Sequence, residues 1–235
     1  MTAESNAADF QAGLEVLATP EQRQKYTRYF PNDDSFIGVR MGDVFALAGR
    51  ALAMPVPGLE TLLDSPIHEV RAGACSIMGK SATHRAAGIG RREELYDLYL
   101  RRHDRIDTWD LVDLGAAQVV GGWLVDKPRH PLYTLASSSF WPERRTAMVA
   151  TAAFLRRGDI TDTLRLAALL GDDEHELVQK ATGWMLRYLG DVDRDALLGF
   201  LDENATALAR VALRAATEKL DRPVRAGYLA AARHR

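Results

Sequence analysis

The sequence predicts an all-α protein, and more narrowly a HEAT-like helical-repeat solenoid, from three observations. Apolar residues recur at three- and four-residue spacing through nearly the whole chain, which is typical of amphipathic helices. No convincing run of alternating β-branched residues indicates a strand. Four segments resemble one another, as expected of a repeat protein whose helix pairs bury their apolar faces against each other. On this pattern alone, an irregular α-helical bundle stays open as the alternative.

Capping residues, glycines and prolines indicate where the helices begin and end. The predicted starts pair an N-cap residue with proline or an acid in the first turn, and they are Thr19-Pro20, Ser65-Pro66, Ser138 or Ser139 before Trp141-Pro142, and Asp173 before Glu174. The predicted stops are Gly158, Gly171 and Gly190. Connections between helices are predicted after Met54, at Pro55 and Pro57, and after Val125, at Pro128 and Pro131.

The four similar segments share a basic residue followed within two positions by alanine. Their equivalent residues are Arg71, Arg145, Lys180 and Arg210. The separations are 74, 35 and 30 residues, so the first spans about two periods and contains one degenerate repeat. Small residues on one face of each segment are expected to let paired helices approach closely.

Length and composition are those of an ordinary globular protein, and we expect a single domain over residues 1–235. The chain is 47% hydrophobic and 26% charged, which excludes extensive disorder. The longest nearly uncharged run, residues 114–125, is 12 residues long, whereas about 20 are needed to span a bilayer. The first five residues also lack the basic start of a signal peptide. We therefore expect a cytoplasmic protein.

The formal net charge of −2 hides an uneven distribution along the chain. Residues 1–67 hold 5 Lys/Arg against 9 Asp/Glu, and residues 68–235 hold 25 against 23. Nucleic-acid binding proteins usually have a strongly basic balance, so DNA binding here requires that basic groups are sorted onto one face. We expect the acidic excess of residues 1–67 to lie on the convex side.

Several kinds of site are not supported by the sequence. The six histidines are scattered without a pair at i, i+4 spacing, and no metal is expected. Gly88-Ile-Gly90 is too short for a phosphate-binding fingerprint, and neither a Walker lysine nor a G-x-S-x-G motif is present. The single cysteine, Cys75, lies in an apolar helical pattern and is expected to be a small core residue. No cofactor is therefore expected.

Trp109 and Asp113 are the one pair that indicates chemistry. They are four residues apart, so on a helix they share a face. A carboxylate beside an aromatic ring suits a cationic ligand or transition state. The alternative is a half-buried tryptophan beside a solvated aspartate. Asp107 and Asp110 are expected to serve the helix N-terminus, with Asp110 pointing away from Asp113.

Four separated motifs resemble those of the AlkD-like DNA alkylation repair glycosylases. They are Tyr26–Val39, Thr108–Asp113, Glu143–Ala147 and Lys180–Arg187. Their order and spacing are similar across about residues 22–229, and residues 1–20 are expected to form an N-terminal helix or a partly ordered segment. The resemblance implies a HEAT-like solenoid that holds DNA across a concave face. It also implies excision of N3- and N7-alkylated purines from duplex DNA.

The resemblance assigns roles to particular residues. Asp113 is the implied catalytic aspartate, and the implied DNA- and substrate-binding residues are Trp109, Trp184, Arg145 and Tyr26. The further candidate phosphate contacts are Lys180, Arg187, Arg210 and Arg214. Each is equally well explained as a solvated or intrahelical charge. The sequence departs from the family at Pro142, where relatives usually have tryptophan, and places Trp141 one residue earlier.

The implied reaction is base excision by hydrolysis of the N-glycosidic bond, without a metal or nucleotide cofactor. The implied partner is duplex DNA containing alkylated purines, bound by a monomer that leaves the lesion outside any deep base pocket. The alternative is a non-catalytic HEAT-like protein that binds DNA structures or a protein partner. A purely structural adaptor would require both tryptophans to lie in the core.

Overall fold

The computed structural model describes residues 6–29 and 35–231, with side chains for 6–27 and 35–231. Residues 1–5 of the expected N-terminal segment and residues 30–34 of the first family motif lie outside this description. The described residues are helical apart from connections and one isolated parallel bridge between Ser35 and Ile67. The all-α prediction is confirmed, and the architecture is that of a helical repeat. The described chain divides into two compact units, residues 1–119 and 120–235.

The first unit is built around one long central helix, α5. Its helices are α1 (Ala7–Leu17), α2 (Pro20–Tyr29), α3 (Met41–Ala48), α4 (Val56–Asp64), α5 (His68–Thr83), α6 (Ile89–Arg101) and α7 (Trp109–Gly115), with a 3₁₀ turn at His103–Arg105 and a π-helix at Ala116–Gly121 that runs into the second unit. α5 packs against α3, α4 and α7. Nearly all of its side chains are buried, including Cys75 as predicted.

The second unit has a corresponding central helix, α13. Its helices are α8 (Gly122–Leu124), α9 (His130–Ala136), α10 (Trp141–Ala150), α11 (Ala152–Leu155), α12 (Thr161–Leu170), α13 (Glu176–Val192), α14 (Arg194–Asn204), α15 (Arg210–Ala216) and α16 (Arg222–Ala231). α13 packs against α10 on one side and against α15 on the other, with α12 and α14 also in contact. Three of the four similar segments, in α10, α13 and α15, are therefore consecutive neighbours in space.

Small residues allow the central helices to approach their neighbours, as the repeat pattern predicted. A Cβ atom added at Gly79 of α5 would lie 2.4 Å from the carbonyl oxygen of Leu114. A Cβ atom added at Gly183 of α13 would lie 2.4 Å from the carbonyl oxygen of Ala212. Both contacts are with backbone atoms, which a side-chain rotation does not relieve. Gly79 therefore sets how closely α7 packs on α5, and Gly183 sets how closely α15 packs on α13.

The four equivalent basic residues do not share one environment. Arg71 and Arg145 are buried near the starts of α5 and α10, whereas Lys180 and Arg210 are exposed. The equivalence thus holds for the helices and their small residues, and it does not extend to the role of the basic side chain.

Two of the predicted helix caps are displaced by two residues each. Thr19 caps α2 through its hydroxyl as predicted, but Ser65 accepts from the backbone N–H of Ile67 in a turn, and α5 begins at His68. Asp173 likewise accepts from the N–H of His175, and the His175 side chain provides the cap of α13. Local side-chain to backbone hydrogen bonds therefore use these predicted caps in the preceding turns.

α10 begins at Trp141 as predicted, but neither of the predicted serines caps it. Ser138 accepts from the N–H of Phe140, while α10 itself has no side-chain cap.

The three predicted glycine stops have mixed outcomes. Gly171 ends α12 as predicted, and Gly158 adopts a positive φ in the turn after α11. Gly190 was wrongly predicted as a stop. It lies inside α13, where a Cβ atom would meet Leu197 of α14 at 2.5 Å, so packing rather than termination explains it.

The proline-marked connections are confirmed. Pro55 and Pro57 stand at the cap and second position of α4, and Pro131 occupies the first turn of α9. Among the residues that the structure describes, no helix has the length and apolar character needed to cross a bilayer.

Gly183→Ala tests the close approach of α13 and α15. We expect it to lower the free energy of unfolding by about 1–3 kcal/mol, because the added methyl group meets backbone atoms. The matched control is Gly199→Ala at an exposed position of α14, where nothing lies within 4 Å of the added Cβ atom. Removing a helical glycine there is expected to stabilise the protein by roughly 0.5–1 kcal/mol. Urea unfolding measures both, and equal effects would contradict this account of α13.

Candidate active site

A cavity of about 370 Å³ in the first unit brings together three of the predicted site residues, Tyr26, Trp109 and Asp113. The other lining residues are Phe36, Met41, Phe45, His68, Asp110 and Leu114. They come from α2, the segment before α3, α3 itself, α5 and α7. The walls are thus largely aromatic and apolar, and the polar groups are two carboxylates, one imidazole and one phenol.

Trp109 and Asp113 lie one turn apart on α7 and both face the cavity, which confirms the predicted shared face. The Trp109 side chain is 41% exposed. It therefore stands at the rim, with one part packed and another open to solvent. This exposure argues against the reading of Trp109 as a core residue.

Asp110 also lines this cavity, which corrects the expectation that it only serves the helix N-terminus. It lies in the first turn of α7 as expected. Its Oδ2 atom is 2.6 Å from Nε2 of His68, and its Oδ1 atom accepts from the Thr108 hydroxyl at 2.6 Å. Asp110 and Asp113 therefore open onto one space, because residues three apart on a helix also share a face.

The environment of Asp110 fixes its charge. Burial by itself would raise the pKa of this carboxyl, but the hydrogen bonds from His68 and Thr108 hold the pKa below its usual value. His68 is almost completely buried at the start of α5 and packs against Phe36, with 5.0 Å between ring centroids. Sequence reasoning missed His68, because its partner is 42 residues away along the chain.

Asp107 lies just before the helix rather than in its first turn. Its Oδ1 atom accepts from the buried Arg71 guanidinium at 3.4 Å. The expected role at the N-terminus of α7 is therefore wrong for Asp107, whose carboxylate contacts α5 instead.

The aromatic wall opposite α7 depends on a buried carboxylate, Glu69. Its two oxygens accept from the backbone N–H groups of Ile37, Gly38 and Val39 at 2.8–3.2 Å. Gly38 has φ +92°, and a Cβ atom there would lie 2.2 Å from the Thr19 carbonyl oxygen. Only glycine fits this position. The segment is thereby fixed across the start of α5, which places Phe36 in the cavity wall.

Tyr26 completes this wall from α2. Its hydroxyl donates to the Val39 carbonyl oxygen at 3.0 Å, and its ring lies 5.2 Å from that of Phe36. Burial raises the pKa of Tyr26, so its hydroxyl keeps its proton at neutral pH. Tyr26 and Phe36, from the two described ends of the family motif, therefore lie side by side in one hydrogen-bonded wall of the cavity.

The other two principal site residues lie in the second unit. Trp184 is on α13 and its side chain is 37% exposed. Arg145 is on α10, is only 4% exposed, and donates from Nη1 to the Leu177 carbonyl oxygen. The neighbouring Arg144 forms a buried ion pair with Asp173. Arg145 thus holds α10 to the start of α13 as well as being a candidate phosphate contact.

The four further basic candidates have different surroundings, and all lie in the second unit. Lys180 pairs with Glu176 on the same helix, and Arg187 pairs with Glu218. Arg210 and Arg214, on α15, are exposed and form no ion pair among the described residues. The departure from the family pattern at Pro142 is accommodated, since Trp141 begins α10 and stacks on His175 at 4.3 Å between ring centroids.

Metal-binding geometry is not found in the part of the chain that the structure describes. There, no group of three or more His, Cys, Asp or Glu side chains is arranged to hold a metal ion.

These features define a helical-repeat protein with an aromatic, carboxylate-lined cavity. A family profile described as DNA alkylation repair enzyme matches residues 10–220. The chain therefore belongs to the DNA alkylation repair enzyme family, and this membership supports a role in the repair of alkylated DNA.

The fold has a counterpart among solved structures. A chain titled as a predicted DNA alkylation repair enzyme from Enterococcus faecalis superimposes with a TM-score of 0.69 at 17% sequence identity. The match covers 87% of this chain and 97% of that one. No curated protein sequence matches this chain. At this identity the structural likeness shows a shared fold.

Asp110→Asn tests the pair of Asp110 with His68. We expect the free energy of unfolding at pH 7 to fall by about 1–3 kcal/mol, because a charged acceptor is lost from a largely buried site. The folded-state pKa of Asp110 is lowered from its ordinary value of about 3.9. Its contribution is therefore fully present above about pH 4 and is lost as the pH falls through the folded-state pKa.

The measurement is urea unfolding of wild type and variant between pH 7 and pH 3. The difference should shrink between about pH 4 and pH 3, as Asp110 is protonated. Asp107→Asn is the control, since this more exposed carboxylate accepts only a long hydrogen bond from Arg71, and its loss should cost about 1 kcal/mol or less. A difference for Asp110→Asn that does not shrink between pH 4 and pH 3 would contradict the pairing.

Proposed function

We propose that this protein is a DNA glycosylase that excises cationic N3- and N7-alkylated purines from duplex DNA. The observation that carries the proposal is the position of Asp113 beside the exposed ring of Trp109, in one cavity with Tyr26. A carboxylate with an aromatic wall stabilises developing positive charge. Membership in the DNA alkylation repair enzyme family supports the choice of alkylated DNA as substrate.

The chemistry needs few groups, because the leaving base is already activated. A purine alkylated at N7 or N3 carries a positive charge and departs as a neutral base when the N-glycosidic bond breaks. The bonding electrons go to the base, and the positive charge develops on the deoxyribose as an oxocarbenium ion. The Asp113 carboxylate stabilises this ion and orients or deprotonates the attacking water.

The remaining site residues are proposed to bind the substrate. Trp109 contributes cation–π attraction of about 0.5–2 kcal/mol to the charged sugar, and Tyr26 supports the opposite wall. Trp184 and Arg145 are proposed DNA contacts of the second unit. Lys180, Arg187, Arg210 and Arg214 are proposed phosphate contacts, for which the exposed Arg210 and Arg214 have the better surroundings.

The Asp110–His68 pair does not change the need for a charged leaving group. The lowered pKa of Asp110 means that this carboxyl is ionised at neutral pH and has no proton to donate. Asp110 therefore cannot protonate a neutral leaving base.

Asp113→Asn is the first test of this function. It keeps the shape of the side chain and removes its charge, so excision should fall by about 10²–10³-fold, the scale of losing one electrostatic partner of the transition state. DNA binding should persist. Release of N7-methylguanine from duplex DNA is measured under single-turnover conditions, with circular dichroism and thermal unfolding as checks on the fold.

The control for this test is Asp107→Asn, which alters a carboxylate of the same segment that does not line the cavity. Its excision rate should stay close to that of wild type. An unchanged rate in Asp113→Asn would remove the catalytic assignment. If wild type binds DNA and releases no base, the alternative of a non-catalytic HEAT-like binding protein replaces the proposal.

The charge of the leaving base provides a second test. The enzyme should release N7-methylguanine or N3-methyladenine and leave uracil in place, because uracil departs as an anion or needs a proton donor. Activity should follow the lability of the glycosidic bond rather than the shape of the base. Release rates are compared on duplexes that differ only in the target base, and comparable rates for uracil would show that a general acid takes part.

A further inference from the structure

The first unit has a second pocket, of about 480 Å³, whose charged lining is entirely basic. Its cationic or titratable lining residues are Arg50, His84 and Arg91. The rest of the lining is small or apolar apart from Ser81, and includes Gly49, Ala53 and Ala87. We call this feature the basic pocket. Arg85 and Arg92, adjacent in sequence to lining residues, are exposed and add to the positive charge around it.

Most acidic residues near the basic pocket in sequence contact other parts of the first unit. Between residues 44 and 92 the chain has three, at positions 60, 64 and 69. Glu60 and Asp64 pair with Arg101 and Arg102 at the far end of α6, and Glu69 is buried under the cavity wall. Two exposed carboxylates, Glu93 and Glu94, follow Arg92 in α6, and an oxygen of Glu94 lies 3.7 Å from Arg91. The arginines in and beside the pocket, at positions 50, 85, 91 and 92, outnumber these two carboxylates.

Arg91 is held in place by the protein. Its Nε atom donates to the Ser81 hydroxyl at 3.2 Å, and its Nη2 atom donates to the Met54 carbonyl oxygen at 2.7 Å. The guanidinium group is thus fixed against two elements, and its position does not have to be ordered when a ligand binds. Arg50 and His84 are exposed, and no ion pair involves them among the described residues.

The basic pocket adjoins the cavity that holds Asp113. Phe45 lines the cavity, and its carbonyl oxygen accepts from the Lys80 ammonium group. The same Lys80 nitrogen lies 3.9 Å from where a Cβ atom of Gly49 would be, and Gly49 lines the basic pocket. The C-terminal half of α3 and its cap residue Gly49 therefore contribute to both spaces.

The basic pocket lies close to the cavity along α3. Phe45 of the cavity and Gly49 of the basic pocket are one helical turn apart, about 6 Å at the helical rise of about 1.5 Å per residue. A strand whose sugar reaches the cavity therefore has neighbouring phosphates close to the basic pocket. We infer that the basic pocket binds backbone phosphates of the substrate DNA near the reacting nucleotide. This inference rests on the proposed function and adds a DNA contact in the first unit.

The test compares two double variants that each remove two positive charges from exposed side chains. Arg50→Gln/Arg85→Gln alters the basic pocket and its edge, and Arg101→Gln/Arg222→Gln is the matched control at other exposed positions. The probe is a duplex with a single N7-methylguanine. Both double variants also carry Asp113→Asn in the binding measurements, so that the base is not released. Affinity is measured as a function of salt concentration.

The pocket variant should bind about tenfold more weakly than the control at physiological salt. Its plot of log affinity against log salt should be shallower by about 1–2, since each lost phosphate contact contributes about 0.9 to the slope. With Asp113 present and DNA saturating, the excision rate should change less than twofold, because these side chains do not touch the reacting atoms. Equal slopes and affinities for the two double variants would overturn the inference.

Neutral methylphosphonate linkages locate the contact along the DNA. The phosphates on either side of the lesion are replaced one at a time, and at least one replacement should weaken binding by the control variant and leave the pocket variant unaffected. Sensitivity that is the same in both would overturn the assignment. Inorganic phosphate is added against chloride of equal ionic strength. Because it competes for the same contact, it should displace DNA more strongly from the control than from the pocket variant, and equal displacement from the two would contradict the inference.

The two proposals fail in distinguishable ways. If the chain binds the duplex and Asp113 has no effect on base release, the proposed function fails whatever the pocket variant does. If base release depends on Asp113 and the two double variants behave alike, only the assignment of the basic pocket fails.

Discussion

The buried Glu69 carboxylate is the interaction on which the candidate site depends. It accepts three backbone N–H groups of the segment Ile37–Val39, which has no helix or sheet to satisfy those donors. Hydrogen bonds to a charged acceptor are stronger than neutral ones, so a buried charge here is offset by its partners. The segment in turn holds Phe36 against His68, and His68 holds Asp110. A single side chain thus connects the cavity wall to the carboxylates of α7.

The fold was predictable because the sequence patterns that specify its helices are local and recur along the chain. Apolar spacing and small residues in the similar segments identified α5, α10, α13 and α15, and prolines marked the connections before α4 and α9. Helix starts were less predictable, since Ser65 and Asp173 have the same chemistry in a turn as in a cap. Gly190 shows the same difficulty at helix ends. The sequence does not distinguish a glycine required for packing against Leu197 from a glycine that ends a helix.

The site was predictable where its residues share one helix and unpredictable where they do not. Trp109 and Asp113 are linked by helical spacing, and that prediction is confirmed. The partners His68 and Asp110 are joined only by tertiary packing of α5 against α7, which no local pattern records. Glu69 gave no signal of its role either, because a charged residue in an otherwise apolar helix reads as a solvated position until its hydrogen-bond partners are known. The assigned chemistry of Asp113 stays a prediction.

The composition of the cavity has a consequence for the release of product in the proposed reaction. Aromatic faces and carboxylates attract a positive charge, and an alkylated purine carries that charge only while it is bonded to the sugar. Once the bond breaks, the base is neutral, and the attraction that favoured the substrate no longer acts on it. The free base therefore has little tendency to stay bound or to inhibit the next turnover. The slow step after chemistry is then separation from the abasic DNA, whose phosphates keep every charge that they had before the base was lost.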